Sequence, residues 1–119
     1  MPVLTVYGIS EQMEYKLDRF AKLLVEAVVS VEELKLKKND VSCFFPGSKI
    51  WRPGHQVIIF VDGLFEKPER TPEVRAKLAA VIVGITADPF SDGFYEKVRL
   101  IECFVRPFNV ENGFASLKG

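Results

Sequence analysis

Pro2 stands directly behind the initiator methionine and opens the strand-like run Val3-Leu4-Thr5-Val6-Tyr7. Freed of Met1, it presents a secondary amine, the only one in the chain. An ordinary α-amino group titrates near pH ~8. Apolar surroundings disfavour the charged form and lower that value. An amine that is neutral near pH 7 serves as a general base or as a nucleophile. The same proline has a purely structural reading, because the first residue of a strand needs no ladder donor.

A second concentration of chemistry lies mid-chain, in Phe45-Pro46-Gly47-Ser48-Lys49-Ile50-Trp51-Arg52-Pro53-Gly54-His55. Arg52 has the planar fork that grips a carboxylate with two parallel hydrogen bonds. Trp51 has the flat face to wall a pocket or stack on a substrate. The plainer alternative is a solvated connection whose tryptophan plugs a subunit contact. His55 reads as a strand-end residue, since no acid stands near it in sequence to orient it. Lys35-Leu36-Lys37-Lys38-Asn39-Asp40 offers lysines in what is otherwise a soluble turn. Arg99 and Glu102 interrupt an apolar run, either as a buried ion pair or as site residues. Cys43 and Cys103 sit inside apolar strands and read as reduced core thiols. They have no CxxC spacing and a single histidine for company, so no metal site and no cofactor are expected.

These residues must be held by some scaffold, and the composition bounds it. The chain has 119 residues and a hydrophobic fraction of 48%, enough for one domain with a modest core. Lys plus Arg and Asp plus Glu both number 16, so the net charge is zero, which argues against a nucleic-acid partner. No apolar run approaches the roughly 18 residues of a membrane span. The start shows no signal-peptide pattern, so a cytoplasmic location and no membrane partner are expected.

Residues 3–8 read as a strand. Ser10 caps the helix that follows, and Met13, Leu17, Phe20, Ala21, Leu24 and Val28 recur at helical spacing. A polar stretch leads to a second strand, Val41 to Phe45. The pattern then repeats. Gln56 to Asp62 is a strand ended by Gly63, and Thr71-Pro72-Glu73 is a strong helix start. Val74, Leu78, Val81, Ile82 and Ile85 give that helix its apolar face. A turn at Asp88-Pro89 and Asp92-Gly93 precedes a last strand, Lys97 to Val105. The spacing from Gly8 to Val41 nearly equals that from Gly63 to Val98. One βαβ unit is thus written twice, over about 2–46 and 56–106 of a single domain.

The expected class is α+β: a four-stranded mixed sheet with both helices on one face, followed by a hairpin signalled by Asn112-Gly113. Thr5, Tyr7, Ser42, Ile58, Phe60, Ile101 and Cys103 are candidates for the uncovered face. Strands apolar on both sides are covered on both sides. Two helices cannot do that, so an obligate oligomer is expected, with Phe108, Val110 and Phe114 packing on a neighbour or folding back on their own sheet.

A doubled βαβ unit of this length, beginning Met-Pro on its first strand, resembles the tautomerase superfamily, and within it a bacterial tautomerase-like branch. Macrophage migration inhibitory factor and 5-carboxymethyl-2-hydroxymuconate isomerase are members. The resemblance covers nearly the whole chain, but its one shared signature is the leading proline. It implies a homotrimer whose sheets line a barrel, with three sites at subunit boundaries. It implies that Pro2 moves a proton in a small α-keto or enol acid, with cations holding the carboxylate. Hydratase or dehalogenase chemistry on unsaturated acids is also known in the superfamily. The carry-over is incomplete. Positions that hold arginines in some members fall near Ile9 and Ser42. A site lysine falls in the stretch that holds Lys35, Lys37 and Lys38, of which Lys37 is chosen, and a site tyrosine has no clear equivalent, Arg99 falling nearby. Two other readings remain: a non-catalytic relative that binds or interacts, and a ferredoxin-like nucleic-acid module with the same order of elements.

Overall fold

The computed structural model describes residues 2–9, 14–46, 56–91 and 100–117. Strand β1 (Val3–Tyr7) leads to helix α1 (Glu14–Ser30) and strand β2 (Ser42–Phe44). Strand β3 (Gln56–Phe65), helix α2 (Pro72–Ser91) and strand β4 (Leu100–Phe108) repeat the order. The sheet runs β2-β1-β3-β4. β1 and β2 are parallel, β3 and β4 are parallel, and β1 meets β3 antiparallel, with Val3 opposite Asp62 and Tyr7 opposite Ile58. The mixed α+β sheet expected from the sequence is therefore present. Because β1 and β2 bond directly, each βαβ unit is closed. The split units of a ferredoxin-like sheet are not formed.

Alternation along the strands assigns the faces. Leu4, Val6, Val57, Ile59, Val61 and Leu64 are buried under the helices. Phe20, Leu24 and Val28 of α1, and Val74, Leu78 and Ile82 of α2, close over them. Each such side chain contributes about 1.5–3 kcal/mol by leaving water. Thr86 is buried in α2 without cost to polarity, because its hydroxyl donates to the Ile82 carbonyl at 2.8 Å. Among the described residues no helix is long and apolar enough to cross a membrane.

Several boundaries differ from the sequence reading. Gly63 does not end its strand. It takes φ 74° inside β3, where the pairing with β4 slips between Val61 and Leu64. A glycine in a strand marks either an end or a bulge, and here it is a bulge. The slip lets Leu64 and Phe65 pair with Pro107 and Phe108, so β4 runs three residues past the expected Val105. Pro107 is tolerated because β4 lies at the edge of the sheet. The phase of β4 also differs. Ile101 and Cys103 pack on the helix side, and Glu102 and Phe104 take the open side. Thr5, Tyr7, Ser42, Ile58 and Phe60 do lie on the open side. The helix expected to stop before Asp88-Pro89 continues to Ser91. Asn112-Gly113 closes a 3-10 turn, Val110–Asn112, and no strand follows it among the described residues. The chain nevertheless folds back on its own sheet, setting the Phe114 ring edge-on to Phe65 at 4.9 Å. The Ser10 cap lies outside the described residues.

Arg70 ties the two units together. It is 7% exposed and donates one guanidinium bond to Leu34 O at 2.9 Å and another to Phe65 O at 2.8 Å. Leu34 ends a 3-10 turn (Glu32–Leu34) of the first unit, and Phe65 ends β3 of the second. Arg70→Met should lower stability by about 3 kcal/mol, since it strands one buried and one partly buried carbonyl. The midpoint of urea unfolding, at unchanged slope, is the measurement. Gly8 has φ 93°, and a Cβ there would collide with the Gln56 carbonyl oxygen. Gly8→Ala should cost about 2–4 kcal/mol in the same assay, with no compensating contact.

Candidate active site around Pro2

Pro2 is buried at the head of β1. Its carbonyl accepts the Ser42 amide at 3.2 Å, which extends the β1–β2 ladder by one bond and fixes the proline between two strands. A proline fits here because the ring removes only a donor, and the acceptor is the atom in use.

Parallel β2 brings its entry segment to the same end of the sheet as Pro2. That segment carries Lys37, whose side chain is exposed and whose backbone N–H donates to the Asp40 carboxylate at 2.8 Å. The bond starts a 3-10 turn (Lys38–Asp40) that leads directly to Val41 and Ser42. Lys38 faces Glu26 of α1 at 4.0 Å, and both are largely exposed, so the contact adds little stability. Antiparallel β3 brings its far end to Pro2 as well, with Asp62 opposite Val3.

The bulge shapes this end. Asp62 and Gly63 of β3 stand against Arg106 alone on β4. Arg106 grips the Asp62 carboxylate with two bonds, Nε to Oδ1 at 2.7 Å and Nη2 to Oδ2 at 2.6 Å. Its guanidinium also lies 4.3 Å from the Phe60 ring centroid. The hydrogen bonds to Asp62 hold the guanidinium still more firmly in its charged form. Phe60 stacks on Phe104 at 5.4 Å and meets Tyr7 edge-on at 6.0 Å. Together with Phe44, 57% exposed, and Phe104, 46% exposed, these rings make the uncovered side of the sheet apolar.

Of the residues singled out from the sequence, Pro2 and Lys37 are thus placed at one end of the sheet. Arg52, Trp51 and Arg99, with Lys49 and His55, lie outside the described residues. Glu102 sits on the open side of β4 and is only partly exposed. The pair Asp62–Arg106 was missed in the sequence. Its partners are 44 positions apart. The available signal was an acid before a glycine on one strand and an arginine before a proline on its neighbour. Among the described residues no cluster of His, Cys, Asp or Glu is able to hold a metal ion.

No family model and no curated protein matches the sequence. Solved structures do match. The crystal structure of Pt0534 inactivated by 2-oxo-3-pentynoate is 16% identical, with a TM-score of 0.68 over 92% of this chain and 88% of that one. Macrophage migration inhibitory factor of Toxoplasma gondii is 12% identical, with a TM-score of 0.69 over 98% and 97%. A wild-type fused 4-OT symmetric trimer is 12% identical, with a TM-score of 0.66 over 90% and 85%. The fold is that of the tautomerase superfamily. In this tautomerase-like fold Pro2 occupies the head of the first strand, and both cysteines are partly buried. Burial pushes the Cys43 thiol up to about 11 and the Cys103 thiol up to about 12. Iodoacetamide at pH 8 should therefore label the native protein roughly 100-fold more slowly than the unfolded chain. Equal rates in and out of denaturant would contradict that placement.

Proposed function

We propose that this protein is a cofactor-independent tautomerase or isomerase that moves a proton within a small α-keto or enol acid. The observation that carries the reading is Pro2: a ring nitrogen at the head of β1, on a buried residue, in a tautomerase fold. With Met1 removed, burial favours the neutral amine. That amine takes the proton α to the substrate carbonyl, leaving an enolate and a prolinium. The prolinium then returns the proton to another carbon of the conjugated system, or to oxygen in the reverse sense. Cationic groups hold the substrate carboxylate and stabilise the developing oxyanion. Lys37 is the described candidate, and Arg52 and Arg99 are proposed beside it, with Trp51 as a pocket wall.

The site is proposed to form between copies of the chain in a homotrimer. The open face supports this, since Phe44, Phe60, Phe104 and Leu100 leave it apolar while both helices cover the other face. A second reading is a non-catalytic protein of the same fold that binds an acid or another protein. Ile9 and Ser42 favour it, because the positions that hold arginine in some members of the superfamily fall near them and neither residue is cationic.

Mass spectrometry should find the native chain without Met1. That form should interconvert the enol and keto forms of phenylpyruvate-like acids, and Pro2→Ala should lower kcat at least about 100-fold. Equal rates for the two proteins would remove the enzymatic reading. The double variant Phe44→Lys, Phe104→Glu should run as a monomer in sedimentation, whereas the parent should run as a trimer. A parent that is monomeric at micromolar concentration would remove the shared-site reading.

A further inference from the structure

The strongest unexplained feature is the Asp62–Arg106 pair. Its partners come from different strands and meet at a bulge, beside the head of β1. Bulges re-aim side chains and recur next to functional sites. Asp62 stands directly opposite Val3, one residue from Pro2. Opposed residues of an antiparallel pair have Cα atoms about 5 Å apart, so the ladder sets the Pro2 nitrogen about 7–9 Å from the Asp62 carboxylate. That is about one Debye length at physiological salt, so the field is weakened by screening but not abolished. A bare carboxylate there would favour the protonated amine, which is the wrong form for a base. Arg106 covers the same carboxylate with both of its oxygens engaged.

We infer that the Asp62–Arg106 ion pair sets the proton affinity of the Pro2 amine: Asp62 supplies a field that favours the prolinium, and Arg106 offsets most of it, so that the amine is neutral at neutral pH yet still accepts a proton. The inference rests on the reading of Pro2 as the base. Asp62 and Arg106 act through Pro2 and are positioning residues, not catalytic ones.

The other charged groups at that end include the exposed Lys37 ammonium. From the entry to β2, the Asp40 carboxylate accepts the Lys37 N–H, and Lys38 faces Glu26 of α1. From the segment after β3, Arg70 is held by the Leu34 and Phe65 carbonyls, and Glu66 is exposed. Tyr7 lies on the Asp62 side of β1 but at its other end, opposite Ile58. The Cys43 thiol is on the helix side and stays protonated at neutral pH. Of these, the Asp62 carboxylate is the one that the register sets opposite the residue next to Pro2.

The test titrates the amine itself, by NMR of Met1-free protein labelled at proline. Arg106→Gln should raise the Pro2 pKa by about half a unit or more, because it uncovers the carboxylate. Asp62→Asn should lower it or leave it slightly below the parent. The double variant should return close to the parent. Arg106→Lys keeps the charge but loses the fork and should give a smaller rise than Arg106→Gln, which keeps the test open if the glutamine variant folds poorly. Where activity is measured, the ascending limb of the pH–kcat profile should move with the NMR value. Two folded single variants that leave the Pro2 pKa unmoved would overturn the inference, as would shifts of the same sign from both. A Pro2→Ala enzyme with full activity would remove the proposed function without touching the titration result, so the two failures are distinguishable.

Discussion

A sheet of four strands has two faces to keep from water, and among the described residues helices cover one. That asymmetry governs the rest of the molecule. Leu4, Val6, Val57, Ile59 and Val61 leave water entirely under α1 and α2. The residues between them in sequence cannot, because alternation sends them the other way. The open side nevertheless carries apolar and aromatic residues: Ile58 and Phe60 on β3, Phe104 on β4, Phe44 on β2. A monomer in water would hold these rings against solvent, which accounts for placing the proposed site where copies meet.

The bulge at Asp62-Gly63 is the local device that joins scaffold to site. Without it, Leu64 would turn to the open side and Phe65 to the core. With it, Leu64 is buried at 1% exposure, and Phe65 is free to meet Phe108 and Phe114. The same step leaves one arginine of β4 facing two residues of β3, and the bidentate grip on Asp62 follows from that count. The left-handed backbone at Gly63 is thus needed by the core and by the charged pair alike.

Much of this was legible from the residues alone. The doubled βαβ order, both helical faces and the open-face residues of β1 and β3 follow from periodicity, which burial rewards directly. The phase of β4 did not follow, because Ile101, Cys103 and Val105 are as apolar as Leu100 and Phe104, and apolarity alone cannot say which row faces the helices. Gly63 read as an end for the same local reason: a bulge is defined by the partner strand, which the sequence does not display. At the site, Pro2 was legible by type and position, and Lys37 by its stretch. The grip of Arg106 on Asp62 was not, since it depends on strand order and register together.

The cation of Arg70 belongs to the second βαβ unit, yet one of its two acceptors, Leu34 O, belongs to the first. The two units also share the antiparallel ladder between β1 and β3 and one core, so each depends on the other. A chain severed between β2 and β3 would oblige its two fragments to find each other before either had a finished interior.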